Sequence, residues 1–519
     1  MKLLIDPKPI YLFLLLSLFL IVFAWLSFDG YYFYDDYSYA YYANQVLEGE
    51  FKFSTQDIFA HRFGIILPLA LLYAVFGISD FTNILLPILA SLWSIFLLFK
   101  FTNIFFTDNY TKNLALAFGG LDFYILFFSN KLYPDVLLTS LALGAVWFLL
   151  KRKDGLLPAF YFVGLNFWAF LTKELIIYFL PFYIFVFFTD LRKKNFVKFW
   201  LYTFFLTLFF TIIYCAIYYL FTDNFLFRFS LIQDNHYTVS FSYFDKPFIF
   251  TLHRITYEPI IMFVNTHIWI VLAGIFVVTF SKQLPLHLQN IRLLLWGAFA
   301  FFWFLSTSVQ YYNPIGLFPR HILFLLPFAA LLTAWIIGQN QQKDKIFLLI
   351  CWALAGVYAF KFLGIKNTLP YLMLAVLLGF HLWRSSSKSY ILLLFLGILL
   401  LHPIYTMLKP TETGYKDEKF IVKKYLSNLP KTSIIFTDDK LFSGYLWYYD
   451  FKKPENITYK DLKDYHLSKI YTENIYFLLN MHSIRYFEQI GYPFPDFVHQ
   501  KPKSWKKIAQ SGEVILYKY

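Results

Sequence analysis

The chain alternates long apolar runs with short polar breaks over its first four hundred residues. A helix needs about 20 mostly apolar residues to cross a bilayer core. Runs of that kind lie at 9–28, 82–106, 114–130, 132–150, 157–172, 174–190 and 200–221. The series continues at 257–280, 293–308, 321–338, 346–363, 368–384 and 389–408. The pattern predicts about thirteen transmembrane helices. The first run lacks a small-residue cleavage site and is longer than a signal-peptide core, so it reads as a retained helix. After Pro410 the pattern changes to short apolar stretches among Lys, Asp and Tyr. SIIFTDD and NIYFLL read as strands, EKFIVKKYLSNL and HSIRYFEQIG as helices, and EVILYKY as an edge or terminal strand. The expected fold class is a polytopic α-helical membrane domain, residues 1–409, followed by a small extracytoplasmic α/β domain, residues 410–519.

Composition agrees with the pattern. Of 519 residues, 59% are hydrophobic and 15% charged, against about 25% charged in soluble domains. Mean hydropathy is +0.54. Aromatics reach 23%, with 67 Phe and 41 Tyr, which suits lipid-facing helices and interfacial belts. The net charge of +13 raises the question of nucleic acid. The Lys and Arg sit mostly in short loops between apolar runs, so no nucleic-acid partner is expected. Cys215 and Cys351 each lie inside an apolar run, which speaks against a disulfide or a thiolate metal site.

The basic loops set the orientation. They carry Lys112; Lys151, Arg152 and Lys153; Arg192, Lys193, Lys194 and Lys198; Lys282 and Arg292; Lys343 and Lys345; Arg384 and Lys388. Short basic loops stay cytoplasmic. Thirteen spans then put the N-terminus inside and everything after 409 outside, in the plasma or inner membrane. The stretch FGIILPLALLYAVFG, 63–77, is short for a span. Counting it would move the 151–153 and 192–194 loops outside. It is therefore expected along or partly in the outer interface, within a first external loop of 29–81. A second external loop covers 222–256.

Candidate chemistry concentrates on the predicted outer face. FDGYYFYDDYSYAYYANQVLEGEF, 28–51, sets Asp35 and Asp36 among tyrosines directly after the first span. A carboxylate at that depth meets less water than in bulk, which raises its pKa toward that of a general base. Two solvated acids closing a tyrosine belt would look the same. Asp135 follows Pro134 and fits a helix cap as well as a catalytic acid. Lys173 and Glu174 fit a turn in which they pair with each other, or a substrate site. Arg320 fits a phosphate contact or an interfacial snorkelling role. In the 222–256 loop, Asp234, His236, Asp245 and His253 match no tight metal spacing.

The order of these landmarks resembles the GT-C glycosyltransferases, nearest the branch of protein O-mannosyltransferases and the lipid A aminoarabinose transferase. An acidic pair after the first span leads into a Tyr/Ala-rich helix closing on Gly49. AHRFGIILPLALLYAVFGISDF, 60–81, with His61, Arg62, Pro68 and Gly77, resembles the family's next stretch, although His-Arg-Phe stands where the family often has His-Pro-Pro or Lys-Pro-Pro. Asp135 in SNKLYPDVLLTSLAL matches a second acidic position. Lys173 and Glu174 in AFLTKELIIYFLP resemble Thr-Lys-Gly or Thr-Lys-Glu. Arg320 in LFPRHILFLLPFAAL resembles an Arg-Tyr start to a late helix, with His321 in place of Tyr.

The resemblance implies a sugar donor on a polyprenyl phosphate and a hydroxyl acceptor on a glycan, lipid or protein. Asp36 or Asp35 would be the base. Asp135 would orient the acceptor, or hold a divalent cation if one is used. Arg62, Lys173 and Arg320 would meet the phosphate, with His61 and Glu174 beside them. The family implies inversion at the anomeric carbon. The main rival from another class is a transporter or flippase of a lipid-linked or polysaccharide substrate. It would need internal repeats and charges deep within helices, whereas the charges here gather at helix ends.

Overall fold

The structure, a computed structural model, describes residues 7–32, 34–234, 243, 246–308, 312–339, 341–383, 388–409, 413–427, 429, 432–465, 474–489 and 491–519. His236, Asp245 and Arg384 lie outside the described residues. All thirteen apolar runs fall on helix. Among the described residues, eight helices are long and apolar enough to cross a membrane, from Pro9–Leu26 to Lys388–Leu408. Pro134–Leu150, Leu156–Thr172 and Trp269–Phe280 are shorter apolar helices. So is Phe63–Phe76, the stretch expected at the interface, which carries Pro68 inside. Its 14 residues would span only about 21 Å of a roughly 30 Å core. This is a multi-pass membrane protein.

Two runs expected as single spans are broken. The run 114–130 is split into Asn109–Gly120 and Phe123–Phe128. Asp122 ends the first piece and starts the second, its carboxylate accepting from the amides of Tyr124 (3.0 Å) and Ile125 (3.2 Å), a side-chain N-cap. The run 257–280 breaks between Glu258–Asn265 and Trp269–Phe280, where His267 takes a left-handed φ of 60°. Two other runs open as 3-10 turns, Glu174–Phe179 and Pro319–Leu325, each ahead of a proline near the start of the α-helix that follows. Proline has no amide to give the preceding turn, so the tighter opening costs no hydrogen bond.

The chain divides into two compact units. One comprises 1–24, 52–65 and 86–405; the other comprises 25–51, 66–85 and 406–519. In the first unit the helical segment 319–338 is central, 94% of it buried, whereas Val197–Thr222 is peripheral at 11%. Small residues let its helices approach closely. A Cβ on Gly274 would collide with Thr333, and one on Gly338 with Thr111. Pro134–Leu150 and Leu156–Thr172 form an antiparallel hairpin. At its turn Arg152 holds Asp190 with two hydrogen bonds of 2.6 and 2.7 Å, and the indole of Trp200 adds a third at 2.9 Å.

The second unit is built on a five-stranded sheet. Its strands are β1 (Ser433–Thr437), β2 (Ile457–Asp461), β3 (Asn474–Asn480), β4 (Lys506–Ser511) and β5 (Val514–Lys518), in the order β2-β1-β3-β5-β4. β1 pairs parallel with β2 and β3, and β5 antiparallel with β3 and β4. The expected strands and helices are present. EVILYKY ends the chain yet is interior, because the polar KKIAQS segment forms the edge strand β4 beside it. Trp505 stacks on Phe477 at 3.7 Å in the core, with Phe436, Ile484 and Val498. Residues 25–51 are tied into this unit. Asp29 accepts from the amide of Thr413 at 2.6 Å. Tyr31 lies 5.4 Å from Trp447 and donates to the Lys440 carbonyl. Gly30 has φ +77°, and any Cβ there would strike the ring of Tyr415.

Candidate active site

In the first unit the hairpin geometry assembles charge. Pro134 starts its helix and puts Asp135 in the first turn, where the helix dipole favours an anion. Tyr133, not Asp135, holds the cap position, and no side-chain cap bond forms there. The partner helix ends at Thr172, and the extended backbone of Lys173 (φ −162°) stops it. Because the helices run antiparallel, the first turn of one meets the last turn of the other. Lys173 Nζ donates to Asp135 Oδ1 at 2.6 Å, both side chains buried.

Lys173 and Glu174 do not pair with each other. Glu174 instead accepts from Arg228, whose Nε lies 2.9 Å away. Arg228 is 1% exposed, donates to the Phe170 carbonyl at 3.1 Å and lies 5.0 Å from the Phe170 ring. Its Nη1 has no hydrogen-bond partner among the described residues. The sequence reasoning missed Arg228. Its signal was a single arginine inside the apolar FLFRFSLI.

Arg62 and Arg320 act on the same pair. Burial lowers the Lys173 amine from the ordinary lysine range; Asp135 opposes that, and the charges of Arg320 and Arg62 add to it. Arg62 is buried, 5.4 Å from the Phe59 ring. Arg320 is half-buried over the rings of Tyr133 (5.0 Å) and Phe318 (5.6 Å), so its guanidinium stacks on protein. His321 beside it donates from Nδ1 to the Gly316 carbonyl at 2.7 Å.

His61 ends the 3-10 helix Ile58–His61, which Asp57 caps. Its Nε2 faces the Thr55 carbonyl at 3.0 Å and its Nδ1 faces the Tyr218 hydroxyl at 3.1 Å. The carbonyl can only accept, so Nε2 carries the proton and Nδ1 accepts from Tyr218. Burial lowers its pKa, so the ring is neutral at pH 7. The segment is held against the hairpin at Gly64, whose carbonyl accepts from the Trp168 indole at 2.9 Å. A Cβ at Gly64 would collide with the backbone of Thr172.

An apolar cavity of about 600 Å³ adjoins this cluster in the same unit, lined by Phe162, Phe167, Phe170, Tyr214 and Phe229 among others. Phe170, the ring under Arg228, belongs to its wall.

Asp35 and Asp36 belong to the second unit, in the first turn of helix Tyr34–Glu48. Asp36 is 1% exposed and accepts from the Tyr32 amide at 3.2 Å; Asp35 is half-buried. Tyr37 and Tyr41 stack one turn apart, centroids 5.9 Å. Among the described residues no group of three or more His, Cys, Asp or Glu could hold a metal ion, and Asp135 is engaged by Lys173.

No protein-family model matches the chain, and no curated protein does. Solved structures do. ArnT from Cupriavidus metallidurans bound to undecaprenyl phosphate superposes with a TM-score of 0.57 at 12% identity, over 98% of this chain and 97% of that one. ArnT in the apo state gives 0.55 at 13%, with the same coverage. ArnT is the lipid A aminoarabinose transferase, a GT-C enzyme. The chain has a GT-C fold. At these identities what is shared is the fold, and it runs nearly end to end. The likeness to ArnT therefore covers both the helical unit and the five-stranded sheet.

Proposed function

We propose that this protein is a membrane glycosyltransferase that moves a sugar from a polyprenyl-phosphate carrier to a hydroxyl of a glycan, lipid or protein. The observation that carries this reading is the full-length likeness to an ArnT structure that holds undecaprenyl phosphate. The cations of the first unit support it. Arg62, Lys173 and Arg320 suit the phosphate, Arg through bidentate contacts. The aromatic cavity beside Phe170 suits the isoprenoid chain.

The chemistry needs few parts. A carboxylate, Asp36 or Asp35, takes the proton of the acceptor hydroxyl. The acceptor oxygen bonds to the anomeric carbon as the bond from that carbon to the phosphate oxygen breaks. Attack from the face opposite the phosphate inverts the centre. The carrier leaves as a phosphate monoester with one more negative charge, which the cations meet. Asp135 orients Lys173 and Glu174 orients Arg228, with neutral His61 next to Arg62 in the chain. No step is assigned to a metal ion. The N-terminus lies in the cytoplasm, with residues 1–409 as the catalytic membrane domain of the inner or plasma membrane. Residues 410–519 lie outside. The basic loops support this orientation.

The test is mass spectrometry of membrane lipids from cells lacking the protein, complemented with wild type or with Asp35→Asn/Asp36→Asn. A polyprenyl-phosphate sugar that accumulates and is cleared only by wild type supports the transferase and names the sugar. If no such lipid changes, the transferase reading falls and transport moves ahead. If the double variant clears it equally well, neither aspartate is the base.

A further inference from the structure

The second unit contains a basic cavity that the transfer chemistry does not use. It measures about 480 Å³. Four lysines line it, Lys416, Lys419, Lys423 and Lys424, over the aromatic rings of Phe28, Tyr415 and Phe420. Among the described residues Asp80 is the single acid in its wall. Asp80 is already engaged, accepting from the Tyr415 hydroxyl at 2.6 Å and pairing with Lys419.

The lysines share one face because they recur at helical spacing along the helix Tyr415–Ile421 and the wider π-turn Val422–Leu426 that continues it. The opposite face, with Tyr415, Glu418, Val422 and Leu426, is buried. Lys416, Lys423 and Lys424 are exposed. Lys423 has a 4.0 Å contact with the exposed Asp450, a pair that water screens well. Lys424 lies 5.0 Å from the ring of Phe420, itself 45% exposed.

Position along the chain sets the depth. Phe28 lies just past the end of the candidate span Pro9–Leu26, Asp80 opens the candidate span Asp80–Phe105, and Tyr415 follows soon after Lys388–Leu408. The ends of membrane spans mark where hydrocarbon gives way to headgroups. Cations at that level attract anionic lipids, each contributing separately. Exposed rings beside them suit the glycerol and upper acyl region of the same lipid.

We propose that this cavity binds the headgroup of an anionic phospholipid, its phosphate on Lys416, Lys423 and Lys424 and its acyl root against Phe28 and Phe420. The inference requires only a multi-pass membrane protein and stands apart from the transferase reading.

The test uses purified full-length protein in neutral detergent, titrated with short-chain phosphatidylglycerol, phosphatidylcholine or inorganic phosphate and read by native mass spectrometry. Phosphatidylglycerol should bind in preference to phosphatidylcholine and weaken as salt rises. Lys416→Gln/Lys423→Gln/Lys424→Gln should weaken it roughly a hundredfold. Lys416→Glu alone, at an exposed site, should act in the same direction if the triple variant does not fold. Equal binding of the two lipids, or unchanged binding by the variants, overturns the proposal. So does displacement by inorganic phosphate at equal concentration, which would make the site one for a soluble anion.

Discussion

Lys173 reaches Asp135 across 2.6 Å in a site where neither side chain meets appreciable water. Each supplies the other's nearest countercharge. Removing one leaves the other buried without its ion-pair partner, which costs about 3–5 kcal/mol. Lys173→Met or Asp135→Leu alone should therefore lower the melting temperature of the detergent-purified protein sharply. The double variant should recover most of the loss while staying inactive. A double variant as unstable as either single one would mean that the pair does not carry the effect.

Arg320 packs against Tyr133, the residue before Pro134 and Asp135. Arg320→Lys keeps the charge and loses the planar fork. Transfer should fall about tenfold or more in that variant, with little change in melting temperature. Clearance of the carrier-linked sugar in membranes measures it. Arg62→Gln should fall at least as far. Wild-type turnover in both would remove these arginines from the phosphate site.

Gly64 and Gly164 form a matched pair of tests. A Cβ at Gly64 runs into the backbone of Thr172, whereas at Gly164 nothing lies within 4 Å. Gly64→Ala should lower the melting temperature by several degrees, corresponding to about 1–3 kcal/mol of overpacking. Gly164→Ala, inside a helix, should leave it unchanged or raise it slightly. Equal effects would show that the hairpin does not close on Gly64 as described.

In the sheet-bearing unit Glu418 is buried, its carboxyl accepting from Asn480 at 2.7 Å and from the Tyr448 hydroxyl. Burial first, and the nearby Asp438 second, raise its pKa from 4.5 to about 7. The folded carboxyl thus holds its proton at pH values where the unfolded chain has lost it. The stabilisation is complete below about pH 4.5 and disappears as pH rises through about 7. A shift of that size corresponds to roughly 3 kcal/mol. The melting temperature should fall between pH 5 and pH 8, and Glu418→Gln should flatten that slope. A slope unaltered in the variant would assign the dependence elsewhere.

Much of the membrane fold was legible, because a bilayer demands long apolar helices and the demand is written in every run from Pro9 to Leu408. The breaks were not, since each depends on one residue: the Asp122 carboxylate capping a new helix, and His267 entering the left-handed region. The interior place of EVILYKY was hidden because the strand that shields it is too polar to read as one. The candidate site was legible as residue types and illegible as partnerships. Lys173 and Glu174 are neighbours in sequence, which suggested a mutual pair. The extended backbone at Lys173 turns successive side chains apart, so the partners come from 38 and 54 residues away. Arg228 showed only as a lone cation among phenylalanines, a cheap signal that weighting by apolar context would have caught.

The hairpin also has a timetable. Asp135 leaves the ribosome 38 residues ahead of Lys173, so the acid reaches the membrane before its countercharge exists. Only when Leu156–Thr172 has threaded beside Pro134–Leu150 do the two ends share a surface. The pair can therefore form only when the two helices lie antiparallel with these ends on the same side. The contact that shapes the finished site is also one that a misthreaded chain cannot make.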